Sequence, residues 1–216
     1  MRFGCVLLVG FAAAATACGC ASGSGQDGAP VHFMHDTHGG ASDAAVFDIA
    51  LADLLRWPVF DSPFGRDSVR DEIVVHSATR GPTRTLKNRR LYSDTRQRLL
   101  PPDTYDDLLQ RNVRPVSLTD YQPTDSRVIV HDAHDLILSR RYMSVKTFGE
   151  RYPDAKGFAH LWLPGYSKDA RNAVVRLRIA KSKKREGAVV TYFLVKDKES
   201  WRIDWRMVSD CSEPIG

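Results

Sequence analysis

Three consecutive segments near the C-terminus alternate apolar and polar residues with a period of two, a pattern that antiparallel strands satisfy best. Val175, Leu177 and Ile179 alternate with Arg176 and Arg178. Val190, Tyr192 and Leu194 alternate with Thr191, Phe193 and Val195, and Trp201, Ile203, Trp205 and Met207 with Arg202, Asp204 and Arg206. Successive side chains of a strand point to opposite faces, so each segment offers one face to a core and one to solvent. The connections at 181–187 and 197–200 have hairpin length. With 157–163 as a leading strand, the pattern predicts an α+β fold: a C-terminal antiparallel meander of about four strands, with N-terminal helices packed on one face.

The preceding stretch supplies those helices. Residues 44–57 place Val46, Ile49, Leu54 and Trp57 near helical spacing, with Ser42 or Asp43 as cap and Pro58 beyond the end. Residues 72–77 (EIVVHS) read as a short strand, and 78–98 as a polar surface excursion rich in Arg and Lys. Pro101, Pro102 and Asp103 open a second helix running to about Asn112, with Asp103 as cap and Tyr105, Leu108 and Leu109 facing inward. Residues 127–131 form another short strand, and 132–139 begin a helical region that closes at Tyr152-Pro153. The chain has no internal repeats.

The N-terminus has the layout of an export signal. Met1 and Arg2 precede the apolar run 6–15 (VLLVGFAAAA), which is too short for a span of roughly twenty apolar residues. Ala15-Thr16-Ala17-Cys18 then suits two peptidases. Ala15-x-Ala17 fits ordinary signal cleavage, and the same residues ending in Cys18 resemble a lipobox, with Ala where Leu is usual. Cysteine arithmetic bears on the choice. Cys5 leaves with the signal, and acylation of Cys18 leaves Cys20 and Cys211, an even pair able to form a disulfide in an oxidising compartment. The expected organisation is a signal peptide at 1–17, a flexible tether at 18–42, one domain at 43–210 and a tail at 211–216. The expected location is the cell envelope, with a lipid on Cys18; the alternative is plain secretion to the periplasm or medium.

The 31 Lys and Arg exceed the 26 Asp and Glu. An exported protein seldom meets nucleic acid, so this excess points to an anionic envelope polymer or to lipid head groups. Arg176, Arg178, Arg202 and Arg206 alternate outward, and the adjoining hairpin tip carries Lys183, Lys184 and Arg185. Together they predict a basic sheet face, relieved by Asp204 and Glu186. The competing reading is a solvated face of mixed charge.

Residues 45–208 also resemble a loose, unnamed family of exported bacterial proteins of unknown function. The likeness rests on Asp53-Leu54-Leu55, on Leu99-Leu100-Pro101 leading to Tyr105-Asp106-Asp107-Leu108 and Asn112, and on Phe148 with Tyr152-Pro153. Gly157, the turn Gly165-Tyr166-Ser167-Lys168, Ala173-Val174-Val175 and Tyr192-Phe193-Leu194 with Lys196 and Trp201 complete it. Leu163-Pro164 stands where that family often has Arg before the Gly-aromatic turn, and 182–186 replaces a Cys-Gly-rich loop. The resemblance implies fold and export, and no activity.

Catalytic patterns are weak. His32, His35 and His38 have a spacing that can reach one Zn²⁺ or Cu²⁺, but they sit in the tether, where nothing fixes geometry. His131, His134 and Asp135 are the least implausible members of a dispersed hydrolase site, although Asp132 and Asp135 suit helix capping better. Ser77 and Ser167 lack a nucleophile motif, and no phosphate-binding glycine loop occurs. Trp162, Trp201 and Trp205 suit either a sugar-binding groove or the core, and His160 a surface or an interface. The expectation is a binding or accessory domain without a cofactor, its protein partner unspecified, with an envelope hydrolase as the alternative.

Overall fold

The computed structural model describes residues 43–56, 72–93, 96–131, 150–181 and 187–211. Strands β7 (Asn172–Lys181), β8 (Gly187–Asp197) and β9 (Ser200–Cys211) form the antiparallel meander that the alternation predicts. β5 (Ala155–Leu161) joins it antiparallel to β7, and the two-residue β6 (Gly165–Tyr166) pairs with the start of β7. The sheet then continues. β1 (Glu72–His76) lies parallel to β5, and β4 (Val128–His131) parallel to β1. The order β4-β1-β5-β7-β8-β9 makes one mixed sheet.

Both faces of this sheet are covered. Helix α1 (Asp43–Arg56) buries Val46, Phe47, Ala50, Leu51 and Leu54, the three- and four-residue spacing of one helical face. They meet Val175, Leu177 and Ile179 of β7 and Val190, Tyr192 and Leu194 of β8. On the other face Leu86, Leu91, Leu100 and Leu108 cover Val174, Val189, Phe193 and Met207. This second cover comes from residues 83–91, from the hairpin of β2 (Arg90–Ser93) and β3 (Arg96–Leu99), and from α2 (Pro102–Arg111). The two helices therefore lie on opposite faces, not on one as expected, and 78–98 is a structural layer rather than a free excursion. The cause is visible in β8, which is apolar on both sides and must be covered twice.

A β-bulge corrects the reading of β9. Phe193 lies opposite Trp205 but Leu194 opposite Ile203, so Asp204 is the extra residue. One added residue flips every later side chain. Trp201 and Ile203 therefore join the α1 face, whereas Trp205 and Met207 join the second.

A polar knot ties the ends of the two helices to β6. Buried Asp43 accepts from Arg111 Nη1 at 3.0 Å and Nη2 at 2.7 Å, and from the Tyr166 hydroxyl at 2.8 Å. Arg111 Nη1 also donates to Pro164 O at 2.6 Å. Asn112 donates to Leu108 O and Leu163 O, and accepts from the Leu163 amide. Pro101, not Asp103, occupies the N-cap of α2, without a side-chain cap bond. Asp103 stands inside the first turn, where its charge still suits the helix dipole. Among the described residues no helix is long and apolar enough to cross a membrane.

Candidate functional site

The expected basic sheet face is corrected by burial and by the bulge. Arg176 and Arg178 are only 1% and 2% exposed, because the layer above them covers the second face. Arg206 turns to the α1 side, where it donates to both oxygens of Asp53 at 2.7 Å. Arg202 remains exposed on the second face, with Asp204 at 3.8 Å. Cys18, Cys20, His32, His35, His38, Lys183, Lys184, Arg185, His134 and Asp135 lie outside the described residues, and Cys211 ends β9.

What Arg176 does instead is hold the covering layer. Its Nη1 donates to Thr85 O and Leu86 O, both at 2.8 Å, and its Nη2 to Asn88 O at 2.5 Å. A planar guanidinium with five fixed donors can gather three carbonyls in this way. Burial lowers its pKa to about 10, with Tyr105 opposing, so it stays charged at neutral pH. Further pins fix the same turn. The Tyr105 hydroxyl donates to Lys87 O, Arg89 Nε to Leu100 O at 2.8 Å, and the Leu86 amide to Thr83 Oγ1 at 3.1 Å.

The positive charge consequently sits on the layer, not on the strands. Residues 78–100 contain Arg80, Arg84, Lys87, Arg89, Arg90, Arg96 and Arg98 against one acid, Asp94. Arg84, Lys87, Arg90 and Arg98 are exposed. Arg98 lies over the Trp205 ring at 5.6 Å, and Trp205 stacks on Phe193 with centroids 5.3 Å apart and planes at 7°. The layer is thus basic at its exposed positions, with Arg90 and Arg98 on opposite faces of the β2–β3 hairpin and an aromatic pair beneath Arg98. In sequence these cations belong to the polar excursion at 78–98 and to no candidate site. Their signal was the acid-poor run itself.

Of Trp162, Trp201 and Trp205, the first is fully buried and donates to Gly81 O at 3.1 Å, and Trp201 belongs to the α1-side core. Only Trp205 is part-exposed.

A second cluster lies at the carboxyl ends of the parallel strands. His131 of β4 is registered with His76 of β1, and His160 of β5 stacks on His76, centroids 5.0 Å apart at 24°. His131 is buried and its Nδ1 is hydrogen-bonded to the Tyr152 hydroxyl. His160 is paired across β7 with Arg178. The imidazoles run in a row along one rung rather than converging on a point, and among the described residues no group of side chains could hold a metal ion.

A solvent-open furrow of about 640 Å³ is lined by Asp48, Asp53, Arg56, Thr124, Asp125 and Ile203, among others. Its carboxylates are engaged. Asp48 accepts from Tyr121 at 2.7 Å, Asp53 from Arg206, and Asp125 from Arg127, whose hydrogen bonds lower the Asp125 pKa to about 2.

No family model, curated protein or solved structure matches the chain.

Proposed function

We propose that this chain is an exported, lipid-anchored envelope protein without catalytic activity, whose folded body binds an anionic partner through the basic layer at residues 84–98. The partner is an anionic envelope polymer or the head groups of anionic lipid. The observation that carries this reading is the exposed set Arg84, Lys87, Arg90 and Arg98 on a layer that a buried arginine fixes from beneath. Fixing the backbone before binding lowers the entropy lost on contact. Near an anionic surface each cation contributes about 1 kcal/mol, so four amount to roughly a thousandfold in affinity.

A lipid on Cys18 and the tether at 18–42 would keep this surface close to the membrane at high local concentration. Mass spectrometry of the mature N-terminus tests the anchor. A diacylated Cys18 is expected, and an unmodified Cys18 as first residue would mean plain secretion.

Binding is tested on the Cys18→Ala chain, so that no lipid contributes, using vesicles rich in anionic lipid and, separately, cell-wall fragments. The quadruple variant Arg84→Glu, Lys87→Glu, Arg90→Glu, Arg98→Glu should lose retention at low salt while keeping its circular dichroism spectrum. Retention equal to the parent on both materials would rule the reading out. Arg176 and Arg178 are unsuitable for this purpose, because reversing a buried charge would disturb the fold first.

A further inference from the structure

We propose that the histidine rung at the carboxyl ends of β1 and β4 is a proton-operated latch on one edge of the sheet. With its imidazoles neutral it holds the β4-β1 edge to β5, and proton uptake by His76 and His160 releases that edge while the β7-β8-β9 meander stays closed.

The geometry places like charges together if the rings protonate. His76 and His160 stack at 5.0 Å, and Phe158 meets both rings edge-on, at 5.9 Å and 4.8 Å. The groups facing the pair come from every described element around it. β4 supplies His131, β7 supplies the buried Arg178 opposite His160, and the segment after β1 supplies Arg80. Tyr152 closes the far side through its bond to His131. Two imidazolium rings face to face, with two guanidinium groups nearby, repel one another strongly at partly buried positions.

The direction of the proton linkage follows. Burial, then nearby positive groups, pushes His160 well below the ordinary imidazole value of 6.5. Burial also lowers His76, against the opposing hydrogen bond with Ala78 and with help from His131 and Arg80. An opened edge would return both rings to about 6.5, so opening takes up protons. Above that pH the latch is indifferent to acid, and below it each ring favours opening by up to about tenfold per pH unit until its own folded value is reached.

The latch lies where the sheet is weakest. Among the described residues β4 is an edge strand, with four registered pairs to β1, and β1 has four to β5 with a shift in register. β7–β8 and β8–β9 have nine and eleven. Opening at the β4 edge can therefore precede any loss of the meander.

Amide hydrogen exchange on the full mature chain, from about pH 7.5 to about pH 5 and corrected for intrinsic exchange, reads the latch directly. The opening constant for β1 and β4 amides should rise at least about tenfold between pH 6.5 and pH 5.5, with β8 amides unchanged. No rise, or an equal rise in β8, would overturn the proposal. The His160→Phe variant keeps a ring on the stack without a titrating nitrogen and should lose at least about half of the acid response on a logarithmic scale, because His160 is the more strongly shifted ring. Should that variant not fold, the wild-type imidazole resonances decide. Titration of His76 and His160 below the ordinary value, in step with β4 exchange, supports the latch; ordinary titration with β4 protected contradicts it.

Discussion

Arg176 shows how far a single residue can depart from what its neighbours in sequence suggest. Between Val175 and Leu177 it reads as the outward half of a strand, yet it is fully covered and holds three carbonyls of the overlying turn. The Arg176→Met change would strand those acceptors, and should cost roughly 2–4 kcal/mol of unfolding free energy in denaturant titration. Arg176→Lys should recover only part of that, because one ammonium cannot span three carbonyls in a plane. Gly165 is constrained in a different way. A Cβ there would lie 2.5 Å from Leu108 N and Thr104 O, both backbone atoms of α2 that cannot rotate aside. Gly165→Ala should therefore destabilise by about 1–3 kcal/mol or more, measured by thermal unfolding. At Asp43, removal of the charge by Asn leaves the Arg111 guanidinium without its carboxylate inside the fold, with an expected cost of about 3–5 kcal/mol.

At the scale of elements, period-two alternation located β7, β8 and β9, and spacing located α1, α2 and the two short parallel strands. Three things were not legible. β1 and β4 look like isolated apolar runs in sequence, and only backbone pairing shows that they extend the same sheet. The second cover was hidden because Leu86, Leu91 and Leu100 are scattered among arginines, although Thr191, Phe193 and Val195 already indicated a second buried face. The bulge at Asp204 has no composition signal, and it alone moves Arg206 from the expected basic face to Asp53 on α1. Deleting Asp204 tests this account. It should remove the bulge while leaving Trp205 and Met207 on the second face and Arg206 beside Asp53, so that cooperative unfolding followed by near-UV circular dichroism persists. Loss of cooperative unfolding in the deletion variant would contradict the assignment of Asp204 as the extra residue of β9. The histidine rung was missed for the related reason that His76, His131 and His160 lie on three strands whose pairing sets their proximity.

The described residues form a mixed sheet with α1 on one face and α2 with a basic layer on the other. Exposed cations stand on the layer that covers the strands, while Arg176 and Arg178 lie inside, Arg206 pairs with Asp53 and Arg202 stays exposed. The proposed anionic partner would accordingly meet Arg84, Lys87, Arg90 and Arg98 rather than Arg176, Arg178 and Arg206. Cys18 and the tether remain the expected means of holding this surface at the envelope. The most direct test is the salt dependence of binding by the unlipidated chain to vesicles rich in anionic lipid and to wall fragments, beside the fourfold charge-reversed variant. The parent should bind at least one of the two materials, weakening about tenfold or more as ionic strength rises from roughly 0.05 M to 0.3 M, with little or no binding by the variant at either salt. Affinity that ignores salt, or that the variant shares, would contradict the account.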